Sequence, residues 1–187
     1  MNARNTALST PAQALAVVDF WRRNSGDWFS KSVRFDRQFR ERFLALHEAA
    51  ASGALAGWND TPDGALALLI LLDQFPRNAF RGTARMYATD ALARDYARTA
   101  VAAGFMDEVD PPLRLFFCLP FAHSEDLADQ DVSVALNSRL GNWTRSHALG
   151  HRDIVRRFGR FPHRNALLGR RTTLAEQAFL DGGGFAG

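Results

Sequence analysis

The eight residues Ala65 to Leu72, ALALLILL, constrain the fold of this chain more than any other stretch. They are apolar on every side rather than along one stripe, so the segment has to be surrounded by protein. The run is far shorter than the roughly 20 residues of a membrane span, so other parts of the chain must supply its surroundings. The next six residues, DQFPRN, turn abruptly polar. A buried rod that ends in Asp73, Gln74, Arg77 and Asn78 carries charge into the interior or to its rim.

A chain of 187 residues fits one domain and can bury about 70% of its unfolded surface. The expected layout is a single helical domain over residues 1–180 and a flexible Gly-rich tail over 181–187. Cys118 is the one cysteine and lies in the apolar run LRLFFCLPF, which excludes an intramolecular disulfide and points to a buried, inert thiol. The amino terminus lacks a signal-peptide core and no apolar run spans a membrane, so a cytoplasmic protein is expected.

The net charge of +3 conceals an asymmetry along the chain. Residues 107–131 hold seven acids against Arg114 alone, and residues 139–171 hold nine arginines against Asp153 alone. The two blocks are expected to face each other across packed helices and largely neutralise. A nucleic-acid partner is disfavoured, since binding by phosphate neutralisation needs a stripe of unmatched positive charge.

Local signals divide the chain into helices. Ser9 or Thr10 before Pro11 opens one, with Ala14, Val17, Val18 and Trp21 on one face up to Arg23. A second runs from about Asp36, with Phe39, Phe43, Leu46 and Ala50 in its stripe and His47 beside it. Thr61 and Pro62 start the central helix. Pro76 should force Phe75 out of helical geometry, so Arg77 is not guaranteed to reach Asp73. Asp73, in a last helical turn beside so apolar a body, needs a cation.

Thr89 or Asp90 caps a helix carrying Leu92, Tyr96 and Ala100. A short apolar helix from Pro112 should break near Pro120, and Ser124 reads as the next cap, with Glu125 and Asp126 complementing the dipole. From Asn142 to Phe158, residues Trp143, His147, His151, Ile154 and Phe158 fall within an arc of about 80° and are expected to be the buried stripe. HALGH lacks the glutamate of the zinc-protease pattern, so the two histidines are expected to be buried and hydrogen-bonded, with no metal. Thr173 to Glu176 is a capping box for a last helix.

One device recurs. FPRNAFRG (residues 75–82) and FPHRNALLG (residues 161–169) share Phe-Pro, Arg-Asn-Ala, a hydrophobic residue and a closing glycine, with one gap at His163. Either the two are a duplicated turn, in which proline stops a helix, asparagine takes the left-handed conformation and arginine meets free carbonyls, or they converge. Convergence would bring the planar donors of Arg77, Arg164, Asn78 and Asn165 to one anionic group, with His123, His151 or His163 as acid or base.

LALLILLDQFPRNAFRG, TDALA, LPFAHSEDLADQD and HRDIVRRFGRFPHRNALLGR together resemble the bacterial and fungal family called domain of unknown function 924, from about Val18 to Leu180. The resemblance implies an all-α fold of antiparallel helical hairpins, tetratricopeptide-like, of about eight helices, with no established activity. The family's motif positions land here on Asp73, Gln74, Arg77, Asn78, Arg81 and His123, then on Ser124, Glu125, Asp129, Gln130 and His151, and finally on Arg160, His163, Arg164, Asn165 and Arg170. The family carries no roles to transfer.

Two functions compete. In the first, an anionic small molecule is held by Arg77 and Arg164 at the meeting of the two corners, His123 or His163 moves a proton, and Asp73 or Glu125 orients the cation or the histidine. In the second, a groove between hairpins receives a protein or peptide. A serine or cysteine hydrolase is disfavoured, because there is no Gly-x-Ser-x-Gly and Cys118 lies among apolar residues. Dinucleotide and triphosphate fingerprints do not occur, and no cofactor is expected.

Overall fold

The computed structural model describes residues 9–185, and no strand occurs among them. Helix α1 (Ala12–Arg23) buries Ala14, Val17, Val18 and Trp21. The Thr10 hydroxyl donates to Thr61 Oγ1 at 3.0 Å, tying the entry of α1 to the start of the central helix. Helix α2 (Val33–Ala51) begins before Asp36 because the Ser32 hydroxyl caps Phe35 N at 3.2 Å. Its buried stripe is Phe35, Phe39, Phe43, His47 and Ala50, so the four-residue spacing admits His47 where Leu46 was expected.

Helix α3 (Pro62–Leu69) is the enclosed rod. Thr61 caps it, its Oγ1 accepting from Gly64 N at 3.3 Å. Every side chain from Ala65 to Leu72 is fully buried. The surroundings are α1, α5 (Asp90–Ala102), α6 (Phe105–Glu108) and α7 (Leu115–Ala122). Gly64 is required by a close approach: a Cβ there would lie 2.1 Å from the Trp58 carbonyl oxygen.

The rod does not end at Pro76. It passes through a π-helical turn (Ile70–Gln74) into α4 (Phe75–Ala79), and Phe75 stays helical at φ −55° and ψ −48°. The expected break is overturned by wider hydrogen-bond spacing. Phe75 N bonds Ile70 O, five residues back, and a proline next in line can serve neither Leu71 O nor Leu72 O. Side chains serve them instead: His47 Nδ1 lies 2.9 Å from Leu71 O, and Thr89 Oγ1 lies 2.5 Å from Leu72 O. Arg77 then donates to Asp73 O at 2.7 Å and Asn78 to Gln74 O at 2.9 Å. Four consecutive carbonyls are therefore met by side chains, where each one left bare in the interior would cost about 1–3 kcal/mol.

Helix α5 buries Ala93, Ala97 and Ala100, while Leu92 and Tyr96 are half-buried. Small residues let it pack closely on α3. In α7, Pro120 is inside the helix rather than at its end, and Cys118 is buried as expected, with burial pushing its thiol up to about 12. Helix α8 (Leu127–Ser138) is capped by Asp126, whose carboxylate accepts from Ala128 N at 2.7 Å. Ser124 is not its cap. Its hydroxyl donates to Asp129 Oδ2 at 2.7 Å inside a buried network.

Helix α9 (Asn142–Phe158) folds back along α8 after three residues, so the two form an antiparallel pair. Its packed face is not the expected stripe. Ala148 and Val155 are buried against the chain, whereas Trp143 is 65% exposed and His147 is exposed. Two small side chains give α9 a closer seat than a face of rings would. Gly159, at φ +68°, closes the helix.

Helix α10 (Leu174–Asp181) starts with the expected capping box, Thr173 Oγ1 accepting from Glu176 N and Glu176 Oε2 from Thr173 N. After it, Phe185 packs its ring on His151 and His163, at centroid distances of 4.7 and 5.1 Å. The rest of the expected flexible tail, residues 186–187, lies outside the described residues. The acidic and basic blocks meet through Arg139 with Asp107, Arg152 with Asp131, and Arg170 with Glu125. Among the described residues, no helix is long and apolar enough to cross a membrane.

Candidate functional site

The π turn aims Asp73 at the end of α7. The Asp73 side chain is 1% exposed, and its Oδ1 lies 2.6 Å from His123 Nδ1 and 3.3 Å from Arg77 NH1. Its Oδ2 accepts from Gln74 Nε2 at 2.5 Å. Burial works to raise the Asp73 pKa, but the Arg77 charge and the contact with His123 outweigh it and hold the carboxyl well below the usual range. Burial, then Arg77, pushes His123 down against the pull of Asp73. The pair is thus a carboxylate and a neutral imidazole. Nδ1–H donates to Asp73, so Nε2 carries the lone pair, and it has no hydrogen-bond partner among the described residues.

The two corners converge on a residue that reads in the sequence only as the start of a helix. Arg77 grips Asp90 with two bonds of 2.8 and 3.0 Å. The other corner's Arg164 places NH1 3.5 Å from the same carboxylate. Asp90 therefore joins Arg77 to Arg164, and Arg77 joins both to Asp73 and His123.

Arg164 differs from Arg77 in how its donors are used. It is 7% exposed, and its guanidinium lies over the rings of Tyr87 and Phe161, at 4.6 and 4.7 Å from their centroids. Its Nε is buried with no partner among the described residues, and its bond to Asp90 is at the limit of hydrogen-bond reach. His163 Nδ1 next to it is buried and unpartnered in the same way. Burial, then the Arg164 charge, holds His163 down at about 4. Burial, then the neighbouring His123 and His147, holds His151 at about 3. His123, His151 and His163 therefore share one neighbourhood with Arg164, and all are neutral at neutral pH.

The other candidate residues hold the corners in shape. Asn78 Oδ1 accepts from Arg81, which reaches on to Asp36 at 2.9 and 3.1 Å. Asn165 Oδ1 accepts from Arg170, which reaches on to Glu125 at 2.6 and 3.0 Å. Each corner thus sends its first arginine to Asp90 and uses its asparagine to brace a second one. Neither asparagine is left-handed; Gly82 and Gly169 take that conformation at φ +81° and +64°.

Glu125 orients Arg170 and also accepts from Phe161 N at 2.8 Å, and among the described residues no hydrogen bond joins it to a histidine. It therefore positions the second corner. Arg160 is bound to Glu176 at 2.6 and 2.9 Å, away from Asp90. Among the described residues His147 and His151 do not make the hydrogen bonds expected of core histidines; His147 meets the Trp143 ring at 4.3 Å with the planes tilted by 59°, and His151 lies edge-on to Phe161 at 5.7 Å.

The sequence offered Asp90 and Thr89 only as caps and His47 only as a neighbour of a buried stripe, and it did not single out Tyr87. For His47 a signal existed, its spacing of four from Phe43 and eight from Phe39. For Asp90 and Tyr87 there was none beyond proximity to a helix start.

The fold and the site define a helical protein in which two Phe-Pro corners bring a buried Asp-His pair and two arginines to one shared carboxylate. The chain belongs to the family described as bacterial protein of unknown function (DUF924), whose model matches residues 17–184. A solved structure of a protein of unknown function from Agrobacterium tumefaciens is similar, with 51% sequence identity, a TM-score of 0.90, and coverage of 93% of this chain and 99% of that one. Among curated proteins, none matches.

Proposed function

We propose that this chain binds a small anionic molecule at Arg164, with the Asp73–His123 pair as the group that moves a proton on it. The observation that carries the reading is the state of Arg164. A buried guanidinium normally spends its five donors on carboxylates or carbonyls, because an uncompensated buried cation is costly. Here contact with the rings of Tyr87 and Phe161 holds the group while its Nε stays unpaired among the described residues. A flat, pre-oriented fork of unused donors suits a carboxylate or phosphate.

The second part rests on His123. A neutral ring held by a buried carboxylate at Nδ1, with Nε2 unbonded and the side chain 17% exposed, is arranged as a general base. Asp73 keeps the tautomer and would stabilise the imidazolium once formed. Thermal unfolding against a panel of carboxylates and phosphates tests the reading. An anion at about a hundred times its dissociation constant should stabilise the fold by roughly 2.7 kcal/mol. Arg164→Gln should abolish the rise, and His123→Asn should retain binding while losing any turnover. If no anion raises the midpoint of the wild type, the reading fails.

A further inference from the structure

The stripe of α9 that faces away from α8 is not bare surface. With α10 and Phe185 it walls a groove of about 420 Å³, in which Ile154, Phe158, Phe179 and Phe185 supply the apolar lining and His151 one end. That end is one layer from the anion receptor: the His151 ring lies 4.7 Å from Phe185 and 5.7 Å from Phe161, and Phe161 covers Arg164 at 4.7 Å. Phe185, 42% exposed, also touches His163 at 5.1 Å and so stands as the wall between groove and receptor.

We infer that the groove and Arg164 form one site, and that its ligand is a carboxylate or phosphate bearing an apolar chain or ring. This rests on the anion-binding reading above and names the class of molecule. A free inorganic anion would satisfy Arg164 but leave the lined groove unused. An amphiphile would bury its tail along Ile154, Phe158 and Phe179 and, with the exposed Phe185 ring turned aside, bring its head past His163 to the buried, unpaired Nε, which the groove itself does not reach. Neutral His151 and His163 suit this path, since they add no competing charge beside the head group. Arg157, which also lines the groove, offers a nearer but solvent-exposed cation and provides the internal control.

Calorimetric titration of the wild type with acetate, butyrate, hexanoate and octanoate, and with inorganic and octyl phosphate, tests the inference. The dissociation constant should fall about fourfold per methylene. Ile154→Asp should flatten that series without weakening the shortest acid, and Phe179→Ser serves the same purpose if the first variant does not fold. Arg164→Gln should weaken every member alike, Arg157→Gln should change little, and 1-octanol should bind far more weakly than octanoate. The carboxylate and phosphate arms show which head the site prefers.

Equal affinity for acetate and octanoate, with both lost in Arg164→Gln, overturns the shared site and leaves the anion reading standing. Octanoate binding that depends on Ile154 and Arg157 but not on Arg164 overturns it by making the groove a separate site. No binding by any member overturns both.

Discussion

Asp73 and His123, fifty residues apart in the chain, meet at 2.6 Å at the end of a fully buried helix. Arg77 completes the group at 3.3 Å, and its own charge is balanced by Asp90. Removing the carboxylate leaves Arg77 with one anion and His123 with a free Nδ1–H in the interior. Asp73→Ala is expected to lower the unfolding free energy by about 3 kcal/mol or more, read from urea denaturation.

The histidines set an acid limit to stability. His163 and His151 are held at about 4 and about 3 in the folded protein, below their ordinary 6.5, so the unfolded chain binds more protons as pH falls. Their contribution is complete above about pH 6.5 and is lost progressively from there down to their folded values, at up to about 1.4 kcal/mol per pH unit each. Asp73, a depressed carboxylate, acts in the same sense but only below about pH 4. The melting temperature should therefore decline between pH 6.5 and 4.5, and His163→Gln and His151→Gln should each flatten that decline. A level profile in the wild type would contradict the burial of these rings.

Pro76 and Thr89 are coupled through a carbonyl. Thr89→Val leaves Leu72 O without its 2.5 Å donor and should cost about 1–3 kcal/mol. Pro76→Ala restores a backbone N–H within reach of the Leu71 and Leu72 carbonyls, so the double variant should recover part of that loss. Strict additivity in a double-mutant cycle would show that the carbonyls are satisfied in another way.

Gly64→Ala is expected to destabilise despite the higher helix propensity of alanine. The added carbon would meet the Trp58 carbonyl at 2.1 Å and the Thr61 hydroxyl at 2.6 Å, the two groups that set the start of α3. A cost of about 1–3 kcal/mol is expected, visible as a lower midpoint with an unchanged m-value.

The two corner arginines should behave oppositely. Arg77 spends its donors on Asp90 and on Asp73 O, so Arg77→Gln should cost about 3–5 kcal/mol. Arg164 leaves most of its donors unused, and burial weighs against its charge, with Asp90 opposing that effect and Arg77 adding to it. Arg164→Gln should therefore leave the midpoint unchanged or raise it, as expected of a group retained for binding rather than folding. Arg164 is accordingly the cleaner probe of the site.

Residue order alone determined the enclosed rod, the helical class, the caps at Thr61 and Thr173, and the recurrence of the Phe-Pro corner. These depend on neighbours within four residues, through periodicity and turn chemistry. The family, too, is carried by ordered motifs. What only the tertiary structure decided is where polar groups separated by long stretches of chain meet. Pro76 stays helical because His47 and Thr89, from distant elements, take over the carbonyls it cannot serve. The α9 stripe reads as core but faces a groove, because small Ala148 and Val155 fit closer to α8 than rings could. Glu125 takes Arg170 as its cation, and Asp90 gathers both corners. Charge pairing is long-ranged and unspecific in sequence, so a carboxylate's partner is set by which arginine the fold brings within reach.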